Sequence, residues 1–190
     1  MARTESRMLA LGAIAPNFEL PDPSGKMHEL QQGKAATLVM FICNHCPFVK
    51  HVRGALAALG TDYMSRGVAI YAINSNDAST HPEDSPAKMQ EEAARFGYDF
   101  PYLVDADQAV AKAFEAACTP DFFVFDKDLF LVYRGQLDGS RPGNGVPVTG
   151  EDLRAALDAV LAGKQPAEDQ VPSVGCNIKW SAGNAPSWFD

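Results

Sequence analysis

The sequence predicts an α/β fold, a central mixed sheet flanked by helices on both faces. Two apolar runs of strand length, Thr37 to Ile42 and Val68 to Asn74, bracket a stretch whose apolar residues recur at helical spacing. A strand, a helix and a strand in that order give parallel strands joined by a crossover. At the junction of the first strand and its helix stand two cysteines with two residues between them, in Cys43-Asn44-His45-Cys46.

A chain of 190 residues fits one domain with appendages: a body over residues 1–163 and a tail over 164–190. The formal net charge of -8 argues against nucleic acid or an anionic membrane as a partner, since both require a basic surface, and the sole basic concentration is Lys50, His51 and Arg53. No apolar stretch reaches the roughly 18 to 20 residues of a membrane span, and Met8 to Ala15 is too short for a signal peptide; a cytoplasmic location is expected. Four unevenly spaced cysteines in a chain of this size suit redox or metal chemistry better than a structural disulfide framework.

In chain order, Pro16 to Leu20 alternates apolar and polar, and Asp22-Pro23-Ser24-Gly25 supplies turn chemistry before Met27 to Leu30, which reads as a small hairpin or two edge strands. Thr37 to Ile42 is the first long strand. Pro47 suits a first helical turn, and Phe48, Val52, Leu56 and Leu59 mark one face of a helix running to near Gly67. Val68 to Asn74 is the next strand, and Ser75 to Asp84 is a polar, acidic loop. Ser85-Pro86 opens a helix carrying Met89, Ala93 and Phe96 to Gly97. Tyr102 to Val104 is a short strand, and a third helix from Asp107 must stop before Thr119-Pro120, since a residue preceding proline is pushed out of helical geometry. Phe122 to Phe125 and Leu129 to Tyr133 flank Asp126-Lys127-Asp128 as a hairpin. After a loop over Gly135 to Gly150, Thr149-Gly150-Glu151-Asp152 opens a last helix with Leu153, Leu157, Val160 and Leu161. From Lys164 periodicity is lost, yet Trp180, Trp188 and Cys176 lie there, so the tail is expected to pack on the body.

The chemistry is read from the cysteine pair. A thiolate at a helix entrance meets unsatisfied N–H groups and the positive end of the helix dipole. Cys43 is therefore expected to titrate below the roughly 8.5 of a free cysteine, at about 3.5 to 7.5. Cys43 would attack a substrate disulfide and Cys46 would resolve the mixed disulfide, leaving a Cys43–Cys46 bridge. This chemistry needs a protein or small-molecule disulfide and a thiol electron donor, but no organic cofactor. Cys176 either packs in the tail or serves as an additional resolving thiol, with the tail as a lid. Cys43, Cys46, His45 and His51 form a loose set of soft ligands, to which no metal is assigned. Gly143-Asn144-Gly145 lacks the lysine and hydroxyl residue of a phosphate loop.

Ala15 to Leu20, the strand ending in Cys43-Asn44-His45-Cys46, and Thr119-Pro120 just before the Phe122 strand together resemble the thioredoxin-like superfamily. The resemblance is to its redoxin branch, the alkyl hydroperoxide reductase and thiol-specific antioxidant group, over about residues 10 to 163. It implies a thioredoxin-like fold in which Pro120 is cis, faces the cysteines with Thr119, and shapes the groove where a substrate chain lies. Cys118 would then sit near the site, either as a small apolar residue capping the end of a helix or as a third redox thiol exchanging with Cys43. His45 resembles the histidine of strongly oxidising disulfide-forming enzymes, which stabilises the reduced thiolate and raises the potential above thioredoxin's roughly -270 mV. One alternative is a peroxiredoxin-like thiol peroxidase with Cys43 as the peroxidatic cysteine. Its pattern is incomplete here, since Met40 and Ala36 replace the expected hydroxyl residue and proline, and Pro120 stands in the arginine's place, leaving only Arg134 or Arg141 as substitutes. The others are a copper-type metal-delivery module, whose cysteines would be spaced one residue wider, and a binding scaffold without turnover.

Overall fold

A computed structural model describes residues 3–189. Strand β1 (Arg3–Glu5) is followed by β2 (Glu19–Pro21) and β3 (Met27–Glu29), which pair antiparallel, the hairpin of the two readings the sequence allows. Asp22 closes its turn, its Oδ1 accepting the Ser24 and Lys26 N–H groups at 2.9 and 3.2 Å. Then come β4 (Ala36–Phe41), α1 (Pro47–Met64), β5 (Val68–Asn74), α2 (Pro86–Phe96), β6 (Tyr102–Val104) and the short α3 (Ala109–Ala113). The chain continues through β7 (Cys118–Thr119), β8 (Asp121–Phe125), β9 (Leu131–Gly135), α4 (Glu151–Leu161) and β10 (Val174–Asn177).

Among the described residues five strands form the main sheet, in the order β6-β5-β4-β8-β9. β4 and β5 are parallel, as are β5 and β6, whereas β8 runs antiparallel to both β4 and β9. The sheet is mixed and thioredoxin-like, as expected. β4 is buried along its whole length because both of its faces are covered, which is why it reads as an unbroken apolar run. Leu38 and Met40 point into one core with Val52, Leu56 and Leu59 of α1 and Leu153 and Leu157 of α4. Val39 and Phe41 point into the other, with Phe18, Val110 and Phe114.

A second sheet was not expected. β10 pairs antiparallel with β1 on one side and with β7 on the other, setting Cys176 opposite Thr119. Four residues, one of them glycine, carry too little alternation to declare a strand. The helix starts also differ in detail. Ser85 takes the N-cap position of α2 without a side-chain cap bond. At α4 the N-cap is Gly150 with φ +71°, and its N–H and that of Thr149 are held by Asp138 Oδ2 at 2.6 and 2.8 Å.

Candidate active site

β4 delivers the chain to the site. Ile42 still donates to the Ile73 carbonyl at 3.0 Å, and the next three residues turn so that Cys46 becomes the N-cap of α1, with Pro47 at its first position. A proline there sacrifices no hydrogen bond, because that N–H would have no helical partner. From the other side comes the Thr119–Pro120 peptide, which is cis. Thr119 meets both sulfurs: its Oγ1 lies 3.2 Å from Cys43 Sγ, and its carbonyl accepts from Cys46 Sγ at 3.2 Å. The fold thus brings together Cys43, Cys46, Thr119 and Pro120, 73 residues apart in the case of Cys46 and Thr119. All four cysteines, each among the described residues, carry thiols.

The electrostatics correct one expectation. Cys43 is 1% exposed and Cys46 is fully buried. Desolvation pushes the Cys43 thiol well up, and its hydrogen bond to Cys46 and the nearby Asp84 charge add to the rise. The more acidic thiol is Cys46, lowered by hydrogen bonds from the Cys176 and Cys43 thiols to its sulfur. Cys176 is pushed up by the same contact with Cys46 and by burial.

Asp84 explains why the helix entrance does not serve Cys43. Its Oδ1 takes the N–H of Asn44 at 2.7 Å and that of His45 at 3.3 Å, the donors that a thiolate at this turn would otherwise attract. Its Oδ2 takes His45 Nδ1 at 2.6 Å and Asn76 Nδ2 at 2.8 Å. His45 stacks on His81 at 4.8 Å, and Asn44 is fixed through Glu83 O and the Tyr102 hydroxyl, both at 2.9 Å. None of these partners was visible in the sequence. Asp84 closes a polar loop in which every acidic residue reads as solvated surface, whereas this one is 3% exposed.

The remaining candidates divide. Cys176 reaches the site through β10, in hydrogen-bond contact with Cys46. Cys118 is fully buried with its Sγ 3.7 Å from the Pro120 carbonyl, and burial pushes its thiol well up. His51 turns instead to Ser140 Oγ at 2.7 Å. A Cys43 sulfur, a His45 nitrogen and an Asp84 oxygen do lie within 4.8 Å of one another. The carboxylate is already engaged by four donors, however, and the expected soft set of two cysteines and two histidines is not the one assembled. Arg134 spends its donors on Leu9 O and Gln170 Oε1, and Arg141 on Asp138 O, Ser140 O and Gln136 Oε1. Neither therefore stands in for a peroxidatic arginine.

The family model described as AhpC/TSA family matches residues 11–134, well over half of the chain. A thiol-disulfide oxidoreductase ResA from Geobacillus thermodenitrificans is 30% identical over 159 residues, 83% of this chain and 82% of the relative. The crystal structure of an uncharacterized conserved protein from Geobacillus kaustophilus superposes with a TM-score of 0.93 at 58% identity, covering 95% of this chain and 97% of that one. The thioredoxin domain of a thiol-disulfide oxidoreductase from Bacteroides vulgatus gives a TM-score of 0.56 at 18% identity, over 66% of this chain and 88% of that one, a likeness of fold alone. The chain belongs to the AhpC/TSA family and shares the thioredoxin-like fold.

Proposed function

We propose that the protein is a thiol-disulfide oxidoreductase whose redox centre is the Cys43–Cys46 pair. The observation that carries this reading is the contact of two sulfurs across a helix entrance, both held by Thr119 beside a cis proline. The class is also that of the ResA relative.

Substrate entry hydrates Cys43 and relieves the desolvation that raises its thiol, so that its proton passes to water. The Cys43 thiolate then keeps the Thr119 hydroxyl as donor and attacks a substrate disulfide, expelling one substrate sulfur as thiolate. Cys46 loses its proton to that thiolate and attacks the Cys43 sulfur, which releases the second substrate thiol and leaves Cys43–Cys46 oxidised. A thiol donor restores the pair, and direction follows the relative potentials of the partners. Because the sulfurs are sealed in the resting form, substrate entry requires displacement of the cover supplied by β10.

The test is insulin reduction by dithiothreitol. The wild type should accelerate precipitation, Cys43→Ser should fall to the rate of dithiothreitol alone, and Cys46→Ser should accumulate a mixed disulfide with the substrate, seen as a mass adduct. A wild type no faster than the reductant, or a fully active Cys43→Ser, would refute the assignment.

A further inference from the structure

We propose that Cys176 is a third redox thiol, which takes over the disulfide from the Cys43–Cys46 pair by forming a Cys46–Cys176 bond. The proposal rests on the oxidoreductase reading above and adds a step to it.

Cys46 is the sulfur touched by both of the others: Cys43 lies against it from the turn before α1, and Cys176 from β10. A sulfur with two sulfur neighbours can exchange one disulfide partner for the other with little movement of backbone. The tail strand is anchored around this contact. Cys176 stands opposite Thr119 in the β10–β7 register, and Asn177 opposite Cys118. At Gly175 the two backbones approach so closely that an added Cβ would lie 1.9 Å from the Thr119 carbonyl oxygen, leaving room for glycine alone. Beyond β10, Lys179 donates to Asn76 Oδ1 and accepts from Asp77 N–H, each at 2.8 Å. This ties the tail to the loop that carries Asp84, so Cys176 is held on the reacting pair from both ends of its strand.

The step is an isomerisation and needs no further oxidant. After substrate has been reduced, the Cys176 sulfur attacks the Cys46 sulfur of the Cys43–Cys46 bridge. The Cys46–Cys176 bond forms, the Cys43–Cys46 bond breaks with its electron pair on Cys43, and the Cys176 proton passes to Cys43. Cys43 is thereby returned as a thiol beside the Thr119 hydroxyl, while the disulfide is stored under the tail strand.

Peptide mapping decides the matter. Reduced full-length protein is mixed with excess insulin, quenched in acid, alkylated with iodoacetamide and digested. The expected result is a peptide pair joined through Cys46 and Cys176, with alkylated Cys43 several-fold more abundant than in an identically treated Cys176→Ser protein, where the bridge stays on Cys43–Cys46. Reduced insulin with Cys43–Cys46 as the only bridge in the wild type overturns the third-thiol step and leaves the oxidoreductase reading intact. Insulin left unreduced by the wild type overturns both. The wild-type map alone is decisive, so a Cys176→Ser protein that fails to fold changes nothing.

Discussion

Asp84 sets the charge at the helix entrance. Burial works to raise its pKa, but hydrogen bonds from His45, Asn76 and the Asn44 N–H outweigh that and hold the carboxyl below its ordinary value. A depressed carboxyl stabilises the fold above its unfolded pKa, and that contribution is lost as pH falls through the lower, folded value. The same charge raises Cys43. Asp84→Asn should therefore do two things. Loss of the charge-assisted bonds should cost about 1 to 3 kcal/mol at pH 7, read from urea unfolding. The midpoint of the pH profile for Cys43 alkylation should move down; an unchanged or higher midpoint would show that Asp84 does not govern this thiol. The pair itself was legible because two cysteines at a strand-to-helix junction form a local pattern. Asp84 was not, because its partner Asn44 lies 40 residues upstream and nothing local links them.

Among the elements, the long strands and helices declared themselves. The strands predicted over Val68–Asn74 and Tyr102–Val104 are β5 and β6, since buried parallel strands are apolar throughout and their bounds are set by the turns around them. β10 did not, because its place depends on a backbone approach that no side-chain pattern records. That approach gives an element-scale prediction. In Gly175→Ala the new methyl cannot share space with the Thr119 carbonyl, so β10 must shift off β7. The strain should cost about 1 to 3 kcal/mol. Under native conditions Cys43 and Cys46 should be alkylated faster than in the wild type. Gly54→Ala, in the body of α1 with open space around the added methyl, serves as the control and should stabilise the helix by roughly 0.5 to 1 kcal/mol. Equal alkylation rates in Gly175→Ala and wild type would mean that β10 does not cover the pair.

Across the whole molecule, two buried carboxyl groups, Asp84 before α2 and Asp121 at the start of β8, bend the pH dependence of stability in opposite directions. Asp84, fully engaged, acts at the acid end, below its unfolded pKa. Asp121 opens β8 with no exposed surface; its Oδ1 accepts the Phe122 N–H at 3.1 Å, and its Oδ2 has no partner among the described residues. Burial pushes this carboxyl well above its ordinary value of 3.8. The folded protein therefore keeps a proton on Asp121 that the unfolded chain releases once pH passes that value. With fewer protons bound in the unfolded state, stability must fall as pH rises, by up to about 1.4 kcal/mol per pH unit, until the folded group itself ionises. Asp121→Asn has nearly the same shape, keeps an acceptor for Phe122 and has no proton to lose. Urea midpoints of wild type and Asp121→Asn should lie close together at pH 4 and separate steadily toward pH 7, with the variant the more stable. Ionisations common to both proteins cancel in that difference, so a gap that stayed constant or closed with rising pH would mean that Asp121 is ionised in the folded core.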